Sequence, residues 1–173
     1  QTEYLLVYAK KKRSNLLNSE VKKKVDATDR IMEQYSYVLK LKSKPQQFKS
    51  FRDSNGGDVV LYKIDDYELK SYKTSDINEF LKDYDIRVQS VGIQEESSFQ
   101  QQIINITKNI DAICLAEYVP SKGKRKGKKV KDYFLRNRKL LFVKDYSILE
   151  GKRLYRETDI NDFWSNLEIQ VTD

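Results

Sequence analysis

The chain has 173 residues, the length of one domain on the usual scale of roughly 100–200 residues. Its 33 lysines and arginines outweigh 26 aspartates and glutamates, a net charge of +7, and such an excess favours a polyanionic partner. The lack of histidine removes Ser-His-Asp and Cys-His nucleophiles, H-E-x-x-H metal sites and the His-x-Glu deaminase signature, and the lone Cys114 excludes a disulfide framework or a Cys-x-x-Cys zinc site.

Cys114 lies in the apolar run Ile113-Cys114-Leu115-Ala116 and reads as a small buried hydrophobe. That usage predicts a reducing compartment, the cytosol. No stretch approaches the roughly 18 apolar residues of a membrane helix, and no signal peptide is visible. The chain opens at Gln1, its only methionine is Met32, and it enters the apolar run Tyr4-Leu5-Leu6-Val7-Tyr8 at once. This abrupt start predicts a piece of a longer protein.

Residues 4–9 read as a strand buried on both faces. Residues 14–25 are polar and read as a linker or exposed crossing segment. Asp26 or Thr28 can cap a helix to about Lys44, with Ile31, Tyr35, Val38 and Leu39 at 3–4 spacing and Pro45 as its stop. Residues 48–52 and 59–64 form two strands around an Asn55-Gly56 turn signal. Because Gly56-Gly57 leads into a strand and lacks the G-x-G-x-x-G pattern, it is not a dinucleotide fingerprint. Residues 67–72 alternate as a further strand. Thr74 or Ser75 caps a short helix over 76–84, with Ile77, Phe80 and Leu81 on one face, and 86–90 is a strand. Phe99, Ile103, Ile106 and Ile110 step by 4, 3 and 4 and predict a helix over 95–110, with Glu95 and Glu96 at its favoured end. Strands follow over 111–119, 130–135, 139–148 and 153–155, with Glu150-Gly151 as a hairpin turn, and Asp159 caps a helix carrying Phe163 and Trp164. The class is α+β: a mostly antiparallel sheet with several packed helices and a basic Gly/Lys loop.

The charge is local. Residues 121–139 hold Lys122, Lys124, Arg125, Lys126, Lys128, Lys129, Lys131, Arg136, Arg138 and Lys139 against the single Asp132. The stretch is +9 within a chain of +7, so everything else sums to −2. Clustered cations displace condensed counterions together, as a phosphate backbone requires. Gly123 and Gly127 permit close approach and positive φ, and Tyr118, Tyr133 and Phe134 flank the run, where an aromatic can stack on an exposed base. The competing reading is a solvated lysine-rich loop in which nothing offsets the ordering entropy of 121–129. A P-loop does not compete: three residues separate the glycines, and Lys129 stands where Ser or Thr belongs. The pairs Asp65-Asp66 and Glu95-Glu96 read as solvated, and no catalytic constellation is present.

Several segments resemble one family. Residues 3–10, Glu-Tyr-Leu-Leu-Val-Tyr-Ala-Lys, are similar to the strand closing the first catalytic half of the modification subunit of bacterial type III restriction-modification DNA methyltransferases. Residues 117–128, Glu-Tyr-Val-Pro-Ser-Lys-Gly-Lys-Arg-Lys-Gly-Lys, resemble its Tyr-(Ile/Val)-Pro-Ser-Lys-Gly-Lys-x-Lys-Gly-Lys segment. Asp132-Tyr133-Phe134, residues 141–145 and residues 158–164 match in the same order, and residues 20–90 match weakly. The family's Asp-Pro-Pro-Tyr loop and Phe-x-Gly-x-Gly turn are missing. The resemblance therefore implies a single target recognition domain over 1–173, with 1–13 carried over from the upstream catalytic half. It implies sequence-specific recognition of duplex DNA for a cytoplasmic, S-adenosylmethionine-dependent adenine-N6 methyltransferase. This segment would then be inactive alone and hold no cofactor, while the full-length parent takes S-adenosylmethionine. The implied partners are duplex DNA, the flanking methyltransferase domain, a second modification subunit and a restriction subunit, with no membrane. Lys122, Lys124, Arg125, Lys126, Lys128, Lys129 and Lys131 are the expected phosphate contacts, Arg136 and Arg138 the expected base readers, and Tyr118 an expected stacking ring. The alternatives are a basic RNA-binding or scaffold module, and an enzyme fragment whose basic loop contacts a partner protein.

Overall fold

The computed structural model describes residues 22–53, 56–93, 98–121 and 125–159. The expected strand over 4–9, Glu95 and Glu96, and the helix with Phe163 and Trp164 lie outside them. In chain order the elements are β1 (Lys22–Asp26), α1 (Thr28–Gln34), β2 (Tyr37–Leu41), β3 (Gln46–Arg52), β4 (Asp58–Ile64), β5 (Tyr67–Ser71), α2 (Ile77–Lys82), β6 (Arg87–Gly92), α3 (Ser98–Thr107), β7 (Ile113–Tyr118), β8 (Val130–Leu135), β9 (Arg138–Phe142), α4 (Val143–Tyr146), β10 (Ile148–Glu150) and β11 (Arg153–Asp159). The class is α+β with mostly antiparallel sheets, as the patterning predicts.

The chain divides into two units, Asp26–Arg156 and Gln1–Val25 with Glu157–Asp173. Of the second unit only 22–25 and 157–159 are described, where the Thr158 hydroxyl donates to the Lys23 carbonyl at 3.4 Å. Residues 22–26 form a strand, β1, in a three-stranded sheet of order β1-β11-β10. The linker reading of 14–25 therefore fails at its C-terminal end, although Lys23, Lys24 and Val25 are exposed as expected.

The larger unit is built on an eight-stranded sheet of order β3-β4-β7-β8-β9-β6-β2-β5. Each of its neighbour pairs is antiparallel. Only Asp65 and Asp66 separate β4 from β5. Three residue steps reach at most about 11 Å, whereas six strand spacings in a flat sheet measure about 29 Å. The sheet therefore rolls into an open barrel. Leu39, Ile64, Val88, Ile113, Leu140 and Phe142 form a buried cluster with Tyr67 and Leu69 packed on it, so β4, second from one end of the sheet, meets β2 and β5 at the other. The outer face buries Val59, Leu61, Cys114, Ala116 and Phe134 under α3, whose Phe99, Ile103 and Ile106 join the same cluster, as their 4-3 spacing predicts. The helix predicted to reach Ile110 ends at Thr107, and Ile110 packs on that cluster from beyond it. Cys114 is buried there, and burial pushes its thiol up to about 11. A third cluster packs Ile31, Met32 and Tyr35 on Phe80, Val143 and Leu154.

Three expectations are corrected. The helix predicted to reach Lys44 ends at Gln34, and β2 takes residues 37–41. Tyr35, Val38 and Leu39 fit a helical spacing, but hydrogen bonding to β5 on one side and β6 on the other recruits Tyr37 and Val38, good strand formers, into the sheet. The strand predicted over 139–148 is broken by α4, because Val143 turns into the third cluster and the Ser147 hydroxyl donates to its carbonyl at 2.7 Å. The α2 cap is Asp76, whose carboxylate accepts the Asn78 amide at 2.8 Å, while Thr74 accepts the Asp76 amide. Among the described residues no helix is long and apolar enough to cross a membrane.

Candidate nucleic-acid interface

The β7–β8 connection carries the basic run. Register places Val59, Tyr118 and Val130 at one end of neighbouring strands and Ile64, Ile113 and Leu135 at the other. The basic turn sits at the first end. Lys122 and Lys124 lie outside the described residues. From Arg125 onward the turn is hydrogen-bonded: the Gly127 amide donates to the Pro120 carbonyl at 3.0 Å and the Lys128 amide to the Arg125 carbonyl at 3.1 Å. Gly127 holds φ +74, which a residue with a Cβ adopts at a cost. Residues 125–129 are thus more structured than their composition predicts.

Arg125 fixes the base of this turn. Its guanidinium donates to the Tyr146 hydroxyl at 2.6 Å, lies 5.3 Å from that ring's centre, and pairs with Asp132 at 3.6 Å. Burial works against its charge, but Tyr146 and Asp132 outweigh that and raise its pKa. Asp132 is 4% exposed and also accepts from the Tyr118 hydroxyl at 2.7 Å and from Lys139 at 2.8 Å. Burial, then the bond to Asp132, pushes the Tyr118 phenol well above its ordinary range. The Tyr118 ring stacks at a tilt on Phe99, 4.6 Å between centroids. Tyr118 and Lys139 are thereby drawn into the support beneath the turn, and Tyr118 is not a free stacking ring.

The remaining cations divide into three groups. Lys126 and Lys128 are exposed, and no described side chain pairs with either. Lys129 and Lys131 both grip Glu117, at 2.7 and 3.2 Å, since Glu117 stands opposite Lys131 in the β7–β8 register. The Lys129 hydrogen bond first, then that of Lys131, holds the Glu117 carboxyl below its ordinary range. Arg136 and Arg138 sit at the other end of β8, five residue steps or roughly 17 Å away. There Arg136 pairs with Asp111 at 3.0 Å, and Arg138 donates to the Ser90 hydroxyl at 2.7 Å and carbonyl at 2.8 Å. The run that is continuous in sequence is therefore not one patch. Counting charge along the chain missed Glu117 and Asp111, which reach it across the sheet and from the connection before β7. It also missed Tyr146, which arrives from α4.

The described glycine turn does not fit S-adenosylmethionine. Gly56 and Gly57 join two strands, no helix follows them, and the Gly57 amide is already taken by the Asp53 carboxylate at 2.7 Å. Compared with known protein families, with curated proteins and with solved structures, the chain matches none.

Proposed function

We propose that this chain is a nucleic-acid recognition domain that binds duplex DNA through the β7–β8 turn. The observation that carries this reading is the pair of exposed lysines, Lys126 and Lys128, with which no described side chain pairs, on a turn whose base is fixed by Arg125, Asp132 and Tyr146. Lysine is a flexible point charge suited to phosphate oxygens, and a fixed base limits the ordering entropy of the contact. Lys129 and Lys131 add a shared reserve, two cations on one carboxylate. Phosphate contacts set register without reading sequence.

In this reading the domain serves a cytoplasmic adenine-N6 methyltransferase of the type III restriction-modification kind, as the segment over 117–128 suggests. Methyl transfer belongs to flanking segments, and S-adenosylmethionine does not bind residues 1–173; calorimetry with the cofactor checks this. Arg136 and Arg138 are already bound to Asp111 and Ser90, so base reading by either requires giving up those partners.

The test is fluorescence anisotropy with a labelled duplex and a labelled hairpin RNA across a salt series. The duplex binds better, and its salt slope falls by about 0.9 for each lysine–phosphate contact removed, or about 1.8 in K126Q/K128Q. An unchanged affinity and slope in that variant overturns the role of the turn. Tighter binding of the hairpin favours the RNA-binding module instead.

A further inference from the structure

β8 pairs with β7 along all six residues, but with β9 only at Tyr133–Leu140, Phe134–Lys139 and Leu135–Arg138. Beyond Leu140, Leu141 and Phe142 keep their β6 partners Gln89 and Val88 on the other side of β9, as residues 138–140 keep theirs, but no longer pair with β8. The two strands part, and a cleft of about 440 Å³ opens between them, within the roughly 300–1,000 Å³ of small-ligand sites.

Its chemistry is mixed in a specific way. One wall is aromatic: Tyr146, 37% exposed, with Phe142 packed edge-on against Tyr133 at 5.1 Å between centroids. Four cations line it, Arg125, Lys128, Lys129 and Lys131, against the two carboxylates of Asp132 and Asp145. The Arg125–Tyr146 bond joins the turn before β8 to the helix after β9. A two-residue turn pairs Leu135 with Arg138 by hydrogen bonds, and antiparallel alternation then puts the Lys131 backbone N–H and C=O toward the side β9 has left. That edge offers one donor and one acceptor which the β9 ladder does not use. A duplex phosphate track has no need of an aromatic recess, and an apolar ligand has no need of four cations. A nucleotide needs both: a ring for its base, a polar edge to read it, and cations for its phosphate.

We propose that this cleft takes one unstacked nucleotide of the bound nucleic acid, with its base on Tyr146 and its phosphate on Arg125 and Lys128. The inference rests on the nucleic-acid reading above and adds a site to it.

Three duplexes of one sequence separate the two ideas: fully paired, with a single unpaired nucleotide, and with an abasic unit at that position. All three share the phosphate track, and only the second offers a base free to leave the stack. Anisotropy is expected to give about tenfold tighter binding of the unpaired-nucleotide duplex than of the abasic one. The ratio collapses to about one in Tyr146→Ala and survives in Tyr146→Phe, which keeps the ring. Equal binding of those two duplexes by the unaltered chain overturns the cleft and leaves duplex binding standing. Failure to bind any of the three overturns both readings.

Discussion

Arg136 holds φ 54° at the first of the two residues that turn β8 into β9. An L-residue there costs roughly 1–2 kcal/mol, and its ion pair to Asp111 joins side chains 67% and 79% exposed, so it returns little. Glycine relieves the strain but loosens the unfolded chain by roughly 0.4–1 kcal/mol. Arg136→Gly is therefore expected to raise stability by about 0.5 kcal/mol, and Arg136→Val to lower it by about 1 kcal/mol, as urea melts would show. The glycine variant also tests base reading. If Arg136 contacts a base, it loses about 1–3 kcal/mol on one site and little on random DNA. Equal affinity on both confines Arg136 to the turn. At the entrance to α1 the Asp26 carboxyl is pulled down to about 2, chiefly by the Thr28 amide, then by the Thr28 hydroxyl and Arg153. Its contribution is present above the unfolded value near 4 and is lost as pH falls toward 2. Asp26→Asn resembles the protonated acid, so it should be less stable than the parent at pH 7 and equal to it near pH 2. Urea midpoints over that range check this; a gap that persists at pH 2 would assign Asp26 a role other than its charge.

At the scale of elements, the β7–β8 pair explains why its cations are unequal. Antiparallel register sets Glu117 against Lys131, and the turn brings Lys129 back to the same carboxylate. Glu117→Gln leaves both lysines without that anion. Duplex affinity should then rise, and the salt slope should steepen by up to about 1.8 if both reach phosphate. The stability cost is under about 1 kcal/mol, because the lysines are 66% and 55% exposed. Weaker duplex binding would mean that Glu117 positions Lys129 and Lys131 and does not compete for them. The element level is also where sequence reading succeeded and failed for identifiable reasons. The α3 stripe was legible because Phe99, Ile103 and Ile106 fit a helical period. The β3–β4 and β10–β11 hairpins were legible from Gly56 and Gly151, both at positive φ. Residues 35–44 were not, because Tyr35, Val38 and Leu39 satisfy a helical spacing as well as a strand, and strands distant in sequence made the choice. The site divided in the same way. Lysines were visible as a run, but Glu117, Asp111 and Tyr146 become neighbours of that run only through sheet register and α4.

Across the larger unit, three apolar clusters must act together, and Arg87 ties two layers. It begins β6, is wholly buried, and places its guanidinium 4.3 Å from the Phe80 ring centre and 5.0 Å from that of Tyr72. It donates to the carbonyls of Tyr72 at 2.7 Å, Phe80 at 3.1 Å and Tyr35 at 3.5 Å. Those three follow β5, sit in α2 and follow α1, so one side chain closes the ends of three elements. No described carboxylate pairs with it, burial pulls its pKa down, and its Nη2 has no hydrogen-bond partner among the described residues. A residue type that is almost always exposed carries no sequence signal for such a place. Two effects oppose each other in Arg87→Met. Removing an unpaired buried charge gains stability, while leaving the Tyr72 and Tyr35 carbonyls without this donor costs about 1–3 kcal/mol apiece. The Phe80 carbonyl keeps the Asp83 amide at 3.4 Å. Two carbonyls against one charge decide the sign, and a net loss of about 1–3 kcal/mol is expected. Because the tie joins the helical cluster to the sheet, the loss should come with a broader urea transition and earlier exchange of the α1 and α2 amides than of β7 and β8. A variant that melts later than the parent would show instead that Arg87 is retained at a cost to stability.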